Sequence, residues 1–343
     1  MRSLYRQTVD VGLPSGKELR DVAHVVALPL ATRFRGIDVR EAVLLRGPRG
    51  WTEFAPFTQY GDEEASTWLA AAISYGWDDD PPLVRDVIPV NATLPAVGPD
   101  EVGAVLDRFG ATRTVKVKVA ERGQTLADDV ARVRAVRERL GAAGRIRVDA
   151  NGGWNVDEAE HAAHALSPFD LEYLEQPCAT VPELAELRER LHDWQLPIAA
   201  DESVRKAADP LAVVAAGAAD LLVVKAAPLG GIAAALRIVA AAGLPAIVSS
   251  ALDTSVGLAM GARLAAALPD LDFDCGLGTA ALLAADVSTH PLLPREGRIP
   301  VDRVDADPAL LEKWSASTER RDWWHARLDR CRELLSTPTS VVE

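Results

Sequence analysis

The chain has 343 residues, of which 48% are hydrophobic and 25% are charged, and its formal net charge at pH 7 is −13. This composition is typical of a globular protein, and the acidic balance excludes the broad basic surface that nucleic-acid binding needs. No run reaches the roughly 18 apolar residues of a membrane span, and residues 1–10 contain no apolar signal core. Three widely spaced cysteines, Cys178, Cys275 and Cys331, suit buried thiols in a reducing compartment. We therefore expect a cytoplasmic protein with neither a membrane nor a nucleic-acid partner.

The first 87 residues do not alternate strands and helices regularly. Their predicted elements are two strands and one helix, at residues 21–29, 39–47 and 63–75. Two polar segments, 32–36 with Arg33 and 52–61, combine glycine, aromatic and charged residues. That composition suits either a mobile flap over a ligand or a pair of ordinary surface loops. We predict that residues 1–87 form a capping domain.

From residue 88 the pattern changes to alternating strands and helices, which is typical of a barrel. Eight strands are predicted, at 88–93, 114–119, 146–149, 171–175, 198–201, 221–225, 245–250 and 271–275. The helices that follow them are predicted at 99–109, 126–140, 156–166, 182–191, 210–216, 232–242 and 255–268. Residues 280–343 lose this rhythm, so we predict that they return to the capping domain and that 88–279 form the barrel.

Five charged residues lie at the ends of successive predicted strands. They are Lys118, Asp149, Glu175, Asp201 and Lys225, with spacings of 31, 26, 26 and 24 residues. One strand and one helix with their turns need roughly 25–30 residues. The spacing therefore places one charged residue at the end of each successive strand of the predicted barrel. Catalytic groups of barrels lie at the carboxyl ends of the strands. The alternative is five unrelated charges on a solvated rim.

Three of these five residues are acids, and bare carboxylates that share a site repel one another. Asp149, Glu175 and Asp201 offer hard oxygen ligands, so the sequence predicts one Mg²⁺, which Mn²⁺ can replace. No histidine lies at these strand ends to favour zinc. The alternative for each single acid is a salt bridge to a neighbouring arginine.

The lysines suit proton transfer. Lys118 and Lys225 end the second and sixth predicted strands and therefore lie across the barrel from each other, and Lys116 shares the face of Lys118. An amine next to a cation and a second ammonium has a lowered pKa and can act as a base near neutral pH. A metal that holds a substrate carboxylate stabilises the enediolate formed when the adjacent carbon loses its proton. An exposed strand-end lysine remains the alternative for Lys118 alone.

Taken together, these motifs resemble the enolase superfamily and, within it, the muconate-lactonizing subgroup. They are Lys116-Val117-Lys118, the segment 148–154, Glu175-Gln176-Pro177, the segment 200–203 and Val224-Lys225. The resemblance covers residues 20–280. It implies a modified TIM barrel, (β/α)7β, with an α+β capping domain built from the N-terminal region and the C-terminal tail. It also implies one Mg²⁺ and a small-molecule carboxylate substrate, and leaves the oligomeric state open.

Segments 249–258 and 276–279 make the chain most similar to the o-succinylbenzoate synthase family of menaquinone biosynthesis. That resemblance implies a hydro-lyase that dehydrates 2-succinyl-6-hydroxy-2,4-cyclohexadiene-1-carboxylate to 2-succinylbenzoate. In it Lys118 is the base, Lys225 stabilises the enolate and Lys116 tunes Lys118. The candidate substrate-binding residues are Asn151, Ser249, Ser250, Gly278 and Arg33. N-succinylamino acid racemases, dipeptide epimerases and muconate cycloisomerases share the pattern and stay open as alternatives, as does a binding protein without activity.

Overall fold

The computed structural model of the protein describes residues 12–206 and 209–336, so residues 1–10, which the sequence predicts to lack a signal core, lie outside it. Within these two ranges no helix is both long and apolar enough to cross a membrane. The strands are β1 (Ala23–Phe34), β2 (Ile37–Gly47), β3 (Gly50–Phe54), β4 (Val87–Pro89), β5 (Ala92–Leu94), β6 (Thr114–Lys118), β7 (Arg145–Asp149), β8 (Leu171–Glu175), β9 (Ile198–Ala200), β10 (Leu221–Val224), β11 (Ala246–Val248) and β12 (Arg298–Pro300). The helices are α1 (Gly16–Asp21), α2 (Asp62–Trp77), α3 (Val102–Leu106), α4 (Leu126–Leu140), α5 (Val156–Leu166), α6 (Val181–Arg190), α7 (Glu202–Arg205), α8 (Ala212–Ala215), α9 (Ile232–Ala242), α10 (Ser255–Ala267), α11 (Pro308–Lys313) and α12 (Thr318–Ser336).

The N-terminal region forms a three-stranded antiparallel sheet in the order β1-β2-β3, against which α2 packs. Sheet and helix approach closely at Gly47, where an added Cβ would lie 2.3 Å from the backbone oxygen of Gly76. Any larger residue at this position would push α2 away from the sheet. This region therefore has the α+β character that the sequence predicts.

The two predicted loops of this region are partly strand. β1 continues through Phe34 and pairs with Ile37 on β2, which leaves only Arg35 and Gly36 as the turn. β3 takes up the first part of the predicted loop 52–61. Their glycine and charged residues are typical of loops. The strand structure depends instead on pairing with residues distant in the sequence, which composition does not indicate.

Seven parallel strands form the barrel sheet, in the order β11-β10-β9-β8-β7-β6-β5. The predicted first strand, 88–93, is split, because β4 pairs antiparallel with β12 and only β5 joins β6. The predicted eighth strand, 271–275, is not a strand in the described structure. Cys275 instead bridges to Val90, and Gly276 bridges to Ser249, so one short segment links the two edges of the sheet. The modified TIM barrel fold is confirmed.

The outer helices of the barrel begin where side chains can satisfy their first backbone N–H groups. Thr125 with Asp128, Asn155 with Glu158 and Thr180 with Glu183 form reciprocal capping boxes at the starts of α4, α5 and α6. The helices predicted at 156–166 and 232–242 have the observed bounds of α5 and α9. Helical periodicity explains this agreement, together with the Asn155 cap at the start of α5 and Gly243 directly after α9.

The C-terminal segment lies against the N-terminal sheet. The amide of Ala27 donates to the carbonyl of Trp314, and the amide of Ala316 donates to the carbonyl of Val25, both at 2.9 Å. The buried Trp324 on α12 donates through Nε1 to Glu41 on β2 at 2.7 Å. The division into 1–87 with 280–343 and 88–279 stays a prediction. All three cysteines are buried free thiols, as expected.

Candidate active site

The barrel brings the strand-end charges together at one level. Residue pairing places Lys118 of β6 opposite Asp149 of β7, and Asp149 opposite Glu175 of β8. Asp201 follows β9 directly, and Lys225 follows β10. We call these five residues and Lys116 the rim cluster. Its three carboxyl groups are at most 1% exposed, so the alternative of a solvated rim does not describe this structure.

Each acid of the rim cluster has a cationic partner. Lys118 donates to Oδ2 of Asp149, and Lys116 donates to Oε1 of Glu175 at 2.7 Å and lies 3.4 Å from Asp149. Lys225 donates to Oδ2 of Asp201 at 2.6 Å. The cluster thus contains one linked series, Lys118–Asp149–Lys116–Glu175, and one further pair, Lys225–Asp201.

The pKa values of the rim cluster follow from burial and from these pairs. Burial lowers the pKa of Lys118, Asp149 raises it, and Lys116 and Arg35 lower it further, with a net decrease. Burial would raise the pKa of Asp149, but Lys118 and Lys116 together hold it well below its usual range. Burial and the nearby Asp149 raise the pKa of Glu175 to about 7. Lys118 is therefore shifted toward the neutral amine that a base requires.

The three rim acids are the candidate ligands for a metal ion. Among residues 12–206 and 209–336, no group of three or more His, Cys, Asp and Glu side chains has an arrangement that could hold a metal ion. The chemistry of the rim acids nevertheless suits a hard cation, because all three present carboxylate oxygens. Oε2 of Glu175 is also buried without a hydrogen-bond partner in the described structure. The residues present thus fit Mg²⁺ by donor type and by one free oxygen.

A residue without an assigned role ties the acids together. Gln176 follows Glu175, is fully buried, and has a positive φ of 39°. Its Oε1 accepts from the amides of Asp201 and Ser203 at 3.0 and 3.1 Å, and its Nε2 donates to Oγ of Ser203 at 2.7 Å. Gln176 therefore fixes the end of β8 against the turn that carries Asp201. Its signal in the sequence was its place directly after a strand-end acid.

A cavity of about 30 Å³ lies above the rim cluster. Among the predicted substrate-binding residues, Asn151, Ser249 and Ser250 line it, together with Lys118 and Lys225. The Oδ1 of Asn151 accepts from Lys118 at 2.7 Å. Two amines and a carboxylate that face one cavity can move a proton to and from a carbon acid.

Two predicted substrate-binding residues lie elsewhere. Arg33 is 69% exposed, and its Nη1 lies 3.7 Å from Asp38, because alternation along β1 turns it away from the cavity. Gly278 packs against the barrel wall, where an added Cβ would lie 2.8 Å from the backbone oxygen of Asn91. Arg35 and Thr279 line the cavity instead. The sequence analysis missed both residues. For Arg35 the available signal was the glycine that follows it, which is typical of a tight turn.

A second buried charged group, the interface cluster of Arg40, Glu53 and Asp253, holds the cavity wall that follows β11. Arg40 donates through Nε to the carbonyl of Leu252 at 3.0 Å and through Nη2 to Ala251 at 3.3 Å. Both residues line the cavity, and Leu252 has a positive φ of 62°. An arginine of the capping sheet therefore fixes one wall of the barrel site.

Both carboxyl groups of the interface cluster have pKa values above their ordinary ones. Burial and Asp253 raise the pKa of Glu53 to about 8, although Arg40 opposes the shift. Burial also raises the pKa of Asp253. Glu53 accepts hydrogen bonds from the amide of Thr254, at 3.0 Å, and from its hydroxyl.

Comparison with known proteins identifies the family. Residues 99–305 match the family model described as enolase C-terminal domain-like, and residues 25–76 match the enolase N-terminal domain-like model. O-succinylbenzoate synthase of Mycobacterium tuberculosis is 55% identical over 324 residues, which cover 94% of this chain and 97% of that protein. The Mycobacterium leprae enzyme is 55% identical over 94% of this chain and 95% of its own length.

Solved structures agree on the fold. A muconate lactonizing enzyme from Pseudomonas fluorescens has a TM-score of 0.73 at 21% identity, over 86% of this chain and 98% of that one. An N-succinyl Arg/Lys racemase from Bacillus cereus has a TM-score of 0.71 at 18% identity, over 86% and 97%. At such identities the likeness extends to the fold alone. The chain belongs to the enolase superfamily and, within it, to the o-succinylbenzoate synthase family.

Proposed function

We propose that the protein is a cytoplasmic o-succinylbenzoate synthase that removes water from 2-succinyl-6-hydroxy-2,4-cyclohexadiene-1-carboxylate to give 2-succinylbenzoate. The observation that carries this proposal is the shared cavity of Lys118 and Lys225, next to Asp149. The identity of 55% to curated o-succinylbenzoate synthases over nearly the whole chain supports the choice of substrate.

Lys118 acts twice on one face of the ring. Its neutral amine takes the proton from the carbon that bears the carboxylate, and the resulting ammonium gives a proton to the departing hydroxyl group. One C–H bond and one C–O bond break, water leaves, the ring becomes aromatic, and Lys118 returns to its starting form. The lowered pKa of Lys118 favours the first transfer. Asn151 keeps the amine oriented through its Oδ1.

Lys225 and Lys116 act through charge. Lys225 faces the cavity and stabilises the negative charge that develops on the substrate carboxylate. Lys116, which lies against Glu175 and Asp149, adds to the field that lowers the pKa of Lys118. Asp149, Glu175 and Asp201 would hold one Mg²⁺, or Mn²⁺ in its place, and a cation there supplies further stabilisation of that negative charge.

Turnover of the purified protein tests this proposal. We expect 2-succinylbenzoate to form from the cyclohexadiene substrate in the presence of Mg²⁺ and formation to stop when a chelator removes divalent cations. Activity that persists at full rate after exhaustive chelation would contradict the metal assignment. An absence of product with Mg²⁺ present would overturn the proposed reaction.

A second candidate is racemisation of an N-succinylamino acid, because Lys225 reaches the same cavity from across the barrel. A racemase needs both lysines to exchange protons, whereas the dehydration needs only Lys118 as base. Lys225→Arg, which keeps the charge, should therefore retain part of the dehydration rate but almost none of a racemisation rate. Incubation of wild-type protein with single enantiomers of N-succinylamino acids in D₂O measures the second activity directly.

A further inference from the structure

We propose that Arg35, at the tip of the β1–β2 hairpin, binds the terminal carboxylate of the succinyl side chain and so determines substrate specificity. This inference rests on the proposed function, because it concerns the second of the two carboxylates that substrate and product carry. Four observations support it: the backbone of the hairpin tip, the contacts of Arg35, its position between two spaces, and the occupation of the other cavity cations.

The hairpin tip is built in an unusual way. The turn has two residues, and both have positive φ, 50° for Arg35 and 79° for Gly36. Such two-residue turns favour Asn, Asp or Gly at the first position, because a left-handed backbone is strained for residues with longer side chains. Strain of this kind clusters at ligand-binding sites. An arginine at this position is best explained by what its side chain reaches.

The Arg35 guanidinium is turned inward but is weakly held. Its side chain is 26% exposed, and its Cζ lies 5.2 Å from the ring centre of Phe57. Within the described structure its hydrogen bonds are long, 3.4 Å to the hydroxyl of Tyr60 and 3.5 Å to Oε1 of Glu202. A guanidinium has five donors. Arg35 therefore keeps donors for a ligand and can form the paired hydrogen bonds that a carboxylate accepts.

Arg35 lies where two spaces meet. One is the cavity of about 30 Å³ above the rim cluster, which has room for only about one water molecule. The other is an outer cleft of about 760 Å³. Both are lined by Phe34, Arg35, Lys118 and Asn151. A substrate with its ring at Lys118 thus fits only if part of it extends past Arg35 or displaces the hairpin tip.

The other cations that line the cavity are already used. Lys116, Lys118 and Lys225 are paired with the acids of the rim cluster, and two of them act on the ring carboxylate or its neighbouring carbon in the proposed reaction. A second carboxylate that leaves water for this site needs its own partner, because an unpaired buried charge is strongly unfavourable. Arg35 is the lining cation that can supply it.

Binding of the product tests the inference without turnover. The two ligands are 2-succinylbenzoate and 2-butanoylbenzoate, in which a methyl group replaces the terminal carboxylate, and affinity is measured by calorimetry with saturating Mg²⁺. Wild-type protein should bind 2-succinylbenzoate about 10- to 100-fold more tightly, the range expected for hydrogen bonds to a charged group. In Arg35→Gln the two affinities should become nearly equal, and KM for the cyclohexadiene substrate should rise more than kcat falls.

Arg46→Gln is the matched control, because Arg46 is an exposed arginine on the same hairpin and lines neither of the two spaces. Its discrimination between the two ligands should equal that of wild type. Arg35→Asn separates binding from folding, since asparagine accepts the left-handed backbone. It should lose the discrimination while its melting temperature stays within a few degrees of wild type.

The outcomes are distinct for the two proposals. Wild-type protein that dehydrates the substrate but binds both ligands equally, or an Arg35→Gln variant that still discriminates, would overturn the Arg35 subsite and leave the reaction standing. Wild-type protein that neither dehydrates the substrate nor binds 2-succinylbenzoate would overturn the proposed function, and the subsite with it.

Discussion

The rim cluster and the interface cluster both bury carboxyl groups, yet the aspartates of the two clusters ionise differently. Burial alone would raise the pKa of each one. Close ammonium groups nevertheless hold the pKa values of Asp149 and Asp201 low, whereas the pKa of Asp253 rises. The difference lies in what the cation touches. The rim lysines donate to carboxylates, whereas Arg40 donates to the backbone carbonyls of the cavity wall.

This difference suggests distinct roles: the rim cluster suits proton transfer and cation binding, and the interface cluster suits holding the cavity wall in place. Ionised carboxylates next to amines can bind a cation and shift the pKa of a base. A buried carboxyl group that is largely protonated, such as Glu53 with its pKa of about 8, avoids the free energy of burying a charge and still accepts hydrogen bonds. We therefore expect substitutions in the rim cluster to change activity and substitutions in the interface cluster to change stability.

The largest effect is expected for Lys118→Ala. Removal of a group that acts first as base and then as acid should lower kcat by about 10⁴-fold, and exchange of the substrate α-proton with D₂O should stop. Product absorbance and NMR of recovered substrate measure the two quantities. Lys17→Ala, at a lysine that is 78% exposed, is the control and should behave as wild type. Continued exchange in Lys118→Ala would place the base elsewhere.

Glu175→Gln should come next. The variant keeps the shape of the carboxyl group, which has a pKa of about 7, so we expect the fold to survive. It removes a proposed cation ligand, which should lower kcat/KM by about 10³-fold, several kcal/mol of charge stabilisation. Electron paramagnetic resonance of free Mn²⁺ measures the accompanying loss of cation affinity. Glu189→Gln, at an exposed position on α6, is the control. Unchanged Mn²⁺ affinity in Glu175→Gln would exclude Glu175 as a ligand.

The sequence predicted the rim cluster because its information is local. Each of its residues ends an apolar run, and the spacing of the runs follows the strand–helix unit, so Asp149 and Glu175 could be placed side by side without coordinates. The interface cluster carries no such pattern. Arg40 and Asp253 are more than 200 positions apart in the sequence, and they meet only because the hairpin of the capping sheet packs on the loop after β11.

The same distinction explains the fold. The helices at 156–166 and 232–242 were predicted with their observed bounds, because caps and periodicity are local. The segment 271–275 is predicted as a strand, but in the described structure its backbone pairs with the neighbouring strands only through isolated bridges. Arg35 points inward and Arg33 points outward because β1 ends at Phe34. The pairing of Phe34 with Ile37 on β2 sets that end, so it cannot be read from the residues of β1 alone.

For substitutions in the interface cluster we predict a loss of folding stability rather than a loss of the catalytic groups. Arg40→Met leaves the carbonyls of Ala251 and Leu252 without their donor, and it removes the cation that faces Glu53 and Asp253. The free energy of unfolding should fall by about 2–6 kcal/mol, because each of the two buried carbonyls left without a donor costs about 1–3 kcal/mol. Urea denaturation measures it.

Arg46→Met is the control for that experiment, because Arg46 lies on the same strand but is 52% exposed. It should change the free energy of unfolding by less than about 1 kcal/mol. If both variants had similar stability, the buried contacts of Arg40 would not support the wall.

The smallest effect, and the sharpest test of the contrast, is the pH dependence of stability that Glu53 contributes. Its pKa is about 8 in the folded protein, against 4.5 as the ordinary value. Between these values the folded state binds one more proton than the unfolded state, so the free energy of unfolding falls as pH rises, by about 1.4 kcal/mol per pH unit. The contribution is fully present below pH 4.5 and is lost as pH rises through 8.

Glu53→Gln removes this slope, because an amide does not titrate. Urea denaturation of both proteins from pH 5 to 8 should show wild type losing stability relative to the variant throughout that range. Glu63→Gln, at an exposed position at the start of α2, should run parallel to wild type. A Glu53→Gln variant that also runs parallel to wild type would mean that Glu53 is ionised in the folded protein. The two clusters would then treat their carboxyl groups alike, and Arg40 would have to act as a true ion-pair partner.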